Sequence, residues 1–131
     1  FPSSTFSPLP FFVSPPLLTP LTMLIRIVRM TFEPDAVDTF LDQFDASAPK
    51  IRAFPGCHHL ELWRDLDAPH VCTTHSHWES EEALEQYRNS ELFKSTWATV
   101  KPLFGDRPKA QSYTVSRPAA QIEKALPSDQ P

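Results

Sequence analysis

The segment CHHLELWRDLDAPHVCTTHSHW, residues 57–78, decides the fold, because two alternating segments flank a short connection. Residues 57–65 predict a strand whose two faces differ: Leu60 and Leu62 on one, and His59, Glu61 and Trp63 on the other. Residues 70–78 predict a second strand, and the connection at residues 66–69 is short enough for a hairpin. The segment therefore predicts two antiparallel strands, each with one face toward a core.

The chain on either side completes a recognisable order of elements. Residues 23–32 predict a first strand, and residues 109–117 predict a fourth. Residues 33–52 predict a helix, whose buried face has 3- and 4-residue spacing: Val37, Phe40, Leu41, Phe44, Ala48 and Ile51. Pro34 suits the first turn, and Pro49 is expected to end or kink this helix early.

Two serines are predicted to cap the next helices. Within ESEEALEQYR (residues 79–88), Ser80 precedes two glutamates in the first turn. Ser90 precedes a helix with the apolar stripe Phe93, Trp97, Val100 and Phe104. The resulting order, β-α-β-β-α-β, predicts a ferredoxin-like α+β sandwich: a four-stranded antiparallel sheet with helices on one face. The other face needs a cover, most simply a second copy of the chain, so we expect a homodimer.

The composition restricts the possible partners. The chain has 131 residues and a net charge of −4, with no basic run to neutralise phosphates, so we expect neither nucleic acid nor a membrane as a partner. The two cysteines, on separate predicted strands, favour reduced thiols in a cytoplasmic protein. Residues 1–22 carry six prolines and no charge, which predicts a disordered extension, native or added. We therefore expect the domain at residues 23–117 and a C-terminal tail at 118–131.

Several motifs resemble one known family. They are PGC (residues 55–57), HLELWRDLDAP (59–69) and HWESEEALEQYRNSELFKSTW (77–97). Over about residues 23–117 the chain resembles the antibiotic biosynthesis monooxygenase domain family, whose members form dimeric α+β barrels. The resemblance implies a substrate cavity between the sheet and its helices. It also implies one of several activities: cofactor-free oxidation of quinols and polyketide anthrones, haem degradation, or isomerisation of a signalling molecule.

The haem-degrading branch of this family can be compared residue by residue. That branch uses an asparagine on strand one, a tryptophan that ends strand three, and an iron-ligating histidine on the last helix. This sequence has Val28, Trp78 and Trp97 at those positions. Because Trp97 offers no imidazole as an axial ligand, we disfavour haem and expect no cofactor.

The alternation of the strands predicts which side chains face the implied cavity. From the strands they are Arg26, Val28, Met30, Leu62, Thr74, Ser76 and Trp78, and from the helices Phe40, Phe44, Phe93 and Trp97. A mostly aromatic space with a few polar groups suits a flat, weakly polar ligand.

The candidate catalytic residues are Arg26, Ser76 and Trp78. Trp78 and Trp97 could hold an aromatic ring, Arg26 could stabilise an anion, and Ser76 or Thr74 could hydrogen-bond an oxygen. The competing interpretation is structural, since tryptophans are common in cores and Arg26 could extend to the sheet edge. No general base is predicted on this side.

The histidines are predicted on the opposite face. A hairpin centred on residues 67–68 places His59 opposite His77, and Glu61 opposite His75, close enough to hold zinc or iron. The alternative is a polar lining that meets the partner subunit and needs no metal. We favour this alternative and expect no metal.

These observations lead to three hypotheses. The first is a homodimeric, cofactor-independent monooxygenase that oxidises a quinol- or anthrone-like aromatic with O₂. The second is a non-catalytic dimeric protein of the same family that binds a small hydrophobic molecule, which the lack of a base favours. The third is a metal-dependent enzyme that uses the histidine face.

Overall fold

The computed structural model describes residues 23–127, which contain four strands and four helices. Their bounds are β1 Leu24–Thr31, α1 Val37–Arg52, β2 Cys57–Arg64, β3 Val71–Trp78, α2 Glu81–Arg88, α3 Glu91–Val100, β4 Lys109–Thr114 and α4 Ala119–Lys124. A 3-10 turn, Lys101–Leu103, follows α3. The predicted β-α-β-β-α-β order and the ferredoxin-like fold are confirmed.

The four strands form one antiparallel sheet in the order β2-β3-β1-β4. Because successive side chains of a strand point to opposite faces, the register assigns every strand residue to one of two surfaces. The helical face packs against α1, α2 and α3 through two apolar clusters. The open face carries the histidines of β2 and β3.

The predicted hairpin register is confirmed. His59 lies opposite His77, and Glu61 lies opposite His75. A bulge between Cys57 and His59 adds one residue on β2, so that Cys57 lies opposite Trp78 and is buried. His58 is the extra residue, and its imidazole is 50% exposed beside Glu79, at 3.5 Å.

Helix α1 differs from the prediction at both ends. Pro34 lies in the turn before the helix rather than in its first turn. The helix also continues through Pro49 to Arg52, so the expectation of an early end is wrong. Pro49 has no amide proton, so the carbonyl of Asp45, four residues earlier, loses its helical hydrogen bond. Asp45 is exposed, so water can hydrogen-bond to this carbonyl instead. The amide of Ala53 still bonds the carbonyl of Pro49 at 3.1 Å, which continues the helical pattern.

The second helical layer follows the predicted caps. The hydroxyl of Ser80 accepts the amide of Ala83, and that of Ser90 accepts the amide of Phe93, both at 3.1 Å. Helix α3 ends at Val100, earlier than predicted, and tightens into the 3-10 turn around Pro102, which has no amide proton to donate.

Two buried clusters form the core between the sheet and the helices. One surrounds Trp78, which is 1% exposed, and contains Leu24, Ile51, Cys57, Leu84 and Tyr87. The other surrounds Phe32 and contains Met30, Val37, Phe40, Cys72 and Val100. Both cysteines are free and buried, and burial raises the pKa of each thiol. They are therefore packing residues rather than nucleophiles.

The described residues after β4 add little to this core. Within the predicted tail, α4 forms from Ala119 to Lys124 and none of its residues is buried. The predicted extension at residues 1–22 lies outside the described residues, as do residues 128–131 of the tail. Among residues 23–127, no helix combines the length and the apolar character needed to cross a bilayer.

Candidate functional site

A cavity of about 440 Å³ lies between the helical face of the sheet and the helices above it. Its lining draws on both apolar clusters, so it lies where the two meet. The lining includes the predicted residues Arg26, Val28, Met30, Phe40, Phe44, Thr74, Ser76, Trp78, Phe93 and Trp97. The structure therefore brings these ten side chains together, in the layer where the sequence predicted them.

Leu62 is the one predicted site residue that does not line the cavity. It lies on the expected face, opposite Thr74, but packs against the cluster around Phe32. Strand β2 is an edge strand, and α1 packs on it and covers this leucine. Leu60, one position along the same face, lines the cavity instead.

The floor of the cavity is a row of hydrogen-bonding side chains across three strands. Ser76 on β3 lies opposite Arg26 on β1, which lies opposite Ser112 on β4. Arg26 donates from its guanidinium to the hydroxyl of Ser112 at 2.8 Å. The indole of Trp78 donates to the hydroxyl of Ser76 at 2.9 Å, and that hydroxyl makes only a long 3.5 Å bond to the carbonyl of Arg26. The hydroxyl proton of Ser76 is thus available to a ligand oxygen.

Aromatic rings form the walls. Trp78 stacks on Tyr87 with centroids 4.9 Å apart and an interplanar angle of 24°. Phe93 and Trp97 are parallel to within 7°, with centroids 6.1 Å apart. Because planar aromatic surfaces favour planar partners, the cavity is suited to a flat ring system.

Helix α2 supplies two polar lining residues, Tyr87 and Arg88, that were not among the predicted site residues. Their spacing from Leu84, by three and four residues, places all three on one helix face, and this spacing could have identified them. Ser47 on α1 and Thr96 on α3 also line the cavity. Each lies three residues after a predicted site residue of its own helix, Phe44 and Phe93 respectively.

The ionisable side chains that line the cavity carry an excess of positive charge. They are Arg26, Arg88 and the phenol of Tyr87, and none of the described residues that line the cavity is Asp, Glu or His. Burial, and next the positive charge of Arg88, lower the pKa of Arg26. Burial also raises the pKa of Tyr87 to about 12, so this phenol stays protonated and is a donor rather than a base.

The open face carries a separate cluster of His59, Glu61, Trp63, His75 and His77. The carboxylate of Glu61 accepts from the indole of Trp63 at 2.6 Å, from His59 at 3.0 Å and from His75 at 3.2 Å. These hydrogen bonds, from Trp63 first, lower the pKa of Glu61 to about 2. The Nε2 atoms of His75 and His77 lie 3.1 Å apart, and burial, then His75, lower the pKa of His77.

This cluster could take a divalent cation only by giving up its own bonds. Ligand atoms of His59, Glu61 and His75 all lie within 4.8 Å of one another, a separation that a metal ion could bridge. However, the carboxylate already has three donors, and both ring nitrogens of His75 already have hydrogen-bonding partners, Glu61 and His77. These side chains form one hydrogen-bonded polar network on the open face.

Solved structures of similar fold come from several organisms. A Caulobacter crescentus protein provisionally described as an antibiotic biosynthesis monooxygenase has a TM-score of 0.69 at 21% identity, over 72% of this chain and 91% of that one. Rv0793 of Mycobacterium tuberculosis has a TM-score of 0.69 at 22% identity, over 75% and 99%. PA3566 of Pseudomonas aeruginosa has a TM-score of 0.65 at 23% identity, over 72% and 94%. At these identities the likeness shows the shared fold.

The sequence comparisons identify the family. No curated protein matches the chain. The family described as antibiotic biosynthesis monooxygenase matches residues 23–98, which are more than half of the chain and extend from β1 into α3. That match covers the strands and helices that supply most of the cavity lining. The chain therefore belongs to the antibiotic biosynthesis monooxygenase family.

Proposed function

We propose that the protein is a cofactor-independent monooxygenase that oxidises a quinol- or anthrone-like aromatic with O₂. The observation that carries this proposal is the aromatic cavity whose floor joins Arg26, Ser76 and Trp78 in one polar row. Membership of the antibiotic biosynthesis monooxygenase family is consistent with this proposal. The proposal goes further, because it names a substrate class.

The chemistry uses the substrate as its own electron source. An anthrone that has lost a proton transfers one electron to O₂, and the two radicals combine to form a carbon–oxygen bond. The resulting peroxide takes up a proton and then loses water. One oxygen atom remains as the new carbonyl, and the other leaves in the water. The protein has to orient the ring, stabilise the negative oxygen and supply a proton.

Each requirement has a residue in the cavity. The ring can stack within the walls that Phe93 and Trp97 provide. The guanidinium of Arg26, held by Ser112, can stabilise the oxyanion, and the hydroxyl of Ser76 can donate to the same oxygen. Tyr87, protonated up to high pH, is available as a donor to the peroxide.

The test is oxygen uptake by purified protein with a panel of anthrones and quinols. Arg26→Gln should reduce kcat/KM by about 100-fold, the usual effect of losing an oxyanion donor, and Trp78→Ala should also reduce it. Arg29→Gln is the matched control, since Arg29 lies on the same strand, is exposed and does not line the cavity. Equal activity of Arg26→Gln and the control would contradict the proposal.

A second candidate is a non-catalytic protein that binds a small hydrophobic molecule. The observation in its favour is the lining of the described cavity, which contains no carboxylate or imidazole to act as a base. Calorimetric binding of the same compounds without any oxygen uptake would favour this candidate over the enzyme.

We also propose that the protein is a homodimer whose two open sheet faces meet. The open face exposes large side chains, with Trp63 44% and Tyr113 52% exposed, and these would be covered in such a dimer. Light scattering should give twice the chain mass, and Trp63→Glu should shift the protein toward monomer. A monomeric wild-type protein would contradict this proposal.

A further inference from the structure

We infer that the cavity binds its aromatic ligand as an anion, a phenolate whose oxygen pairs with the guanidinium groups of Arg26 and Arg88. This inference deepens the proposed function, because it concerns the ligand of the same cavity. It specifies the substrate as a phenol or enol that ionises on binding.

Two guanidinium groups share the cavity. Arg26 lies on the central strand β1 and Arg88 at the end of α2, and both line the one cavity. Like charges in a shared space repel, and the charge of Arg88 does act on Arg26. An anion bound between the two guanidinium groups would relieve their repulsion.

Within the described residues, the positive charges of Arg26 and Arg88 are only weakly compensated. Arg26 has a neutral partner, the hydroxyl of Ser112. Arg88 pairs with Glu85 at 3.4 Å, but Glu85 lies outside the lining and its side chain is 61% exposed. Burial and the positive charge of Arg88 lower the pKa of Arg26, whereas Glu85 raises it. The whole chain has a net charge of −4, whereas among the described residues that line the cavity two are positively charged and none is negatively charged.

The proposed oxidation needs a deprotonated substrate, although the described lining has no carboxylate or imidazole to remove the proton. Opposite charges within a few ångströms lower the pKa of an acid by about 1–3 units. A phenol bound beside Arg26 and Arg88 can therefore lose its proton directly to water. The proton passes from the phenol oxygen to the solvent, and the oxygen keeps the electron pair that the arginines stabilise. Arg88, with a side chain 47% exposed, is placed where solvent reaches this end of the cavity.

The experiment uses a hydroxynaphthoquinone, whose absorption spectrum changes on ionisation, and its methyl ether, which cannot ionise. Both are already oxidised, so binding is measured without turnover. With wild-type protein, the pKa of the bound probe should fall by at least about one unit, which corresponds to about tenfold tighter binding of the anion than of the neutral form. The methyl ether should bind about tenfold more weakly than the anion, and this comparison needs no variant.

The variants then assign the effect to the two arginines. Arg26→Gln and Arg88→Gln should each reduce the pKa shift of the probe, whereas Arg29→Gln, on the opposite face, should leave it unchanged. The Arg88 contribution should also weaken with added salt, because that side chain is partly exposed. An unshifted probe pKa, or equal affinity for the probe and its ether, would overturn the inference.

The two proposals fail in different ways. Oxygen uptake with an unshifted probe would overturn the anion inference and leave the monooxygenase. A shifted probe without oxygen uptake from any anthrone or quinol would support the inference and overturn the monooxygenase.

Discussion

Alkaline titration of Tyr87 tests the water-poor character of the cavity most directly. Tyr87 is 9% exposed, and burial raises its pKa from 10.0 to about 12. The folded protein therefore holds the neutral phenol at pH values where the unfolded chain has already released its proton. A shift of two units corresponds to about 3 kcal/mol of stability, by the relation of about 1.4 kcal/mol per unit.

The sign of the effect follows from proton binding. Between pH 10 and 12 the unfolded state binds fewer protons than the folded state, so the free energy of unfolding falls as the pH rises. The contribution of Tyr87 is present in full below about pH 10 and is lost through about pH 12. Tyr87→Phe removes this term and keeps a ring to stack on Trp78. Its free energy of unfolding should therefore fall less steeply than that of the wild type.

The assay is denaturant unfolding at a series of pH values, together with a phenolate absorbance titration of the folded protein. The chain has two tyrosines, and the other, Tyr113, is 52% exposed. Tyr113→Phe should leave the late phenolate transition in place, and Tyr87→Phe should remove it. If Tyr87 ionises near pH 10 in the folded protein, the reasoning about a desolvated cavity is refuted.

Three further predictions concern the frame around the site. Gly56 has φ +92°, and a Cβ there would lie 2.6 Å from that of Ala83, so Gly56→Ala should cost about 1–3 kcal/mol of stability in urea denaturation. Adding Ala83→Gly should restore part of that loss, and full stability of Gly56→Ala alone would contradict the clash. Ser80→Ala should cost about 1 kcal/mol by removing the cap of α2, and an unchanged urea midpoint would argue against the cap. Metal analysis should find no stoichiometric zinc in the purified protein, because His59 and His75 are committed to Glu61; one zinc per chain, lost in His75→Ala, would contradict this.

The amino-acid sequence by itself determined the two faces of the sheet. A strand alternates with a period of two, and a short connection allows few registers, so the positions of Trp78 on the helical side and of His75 and His77 on the other could be predicted. The serine caps and the helix order were predictable for the same reason, since each depends on residues close together in the chain.

The tertiary structure decided what depends on distance between elements. Pro49 stays within α1 because its lost hydrogen bond falls on an exposed carbonyl, and Leu62 leaves the lining because α1 covers the edge strand. Arg26 and Arg88 line the same cavity although 62 residues separate them, because α2 crosses over the sheet. Periodicity specifies which way a side chain points from its own element. The packing of helices on the sheet determines which side chains then meet, and therefore the volume and charge of the cavity.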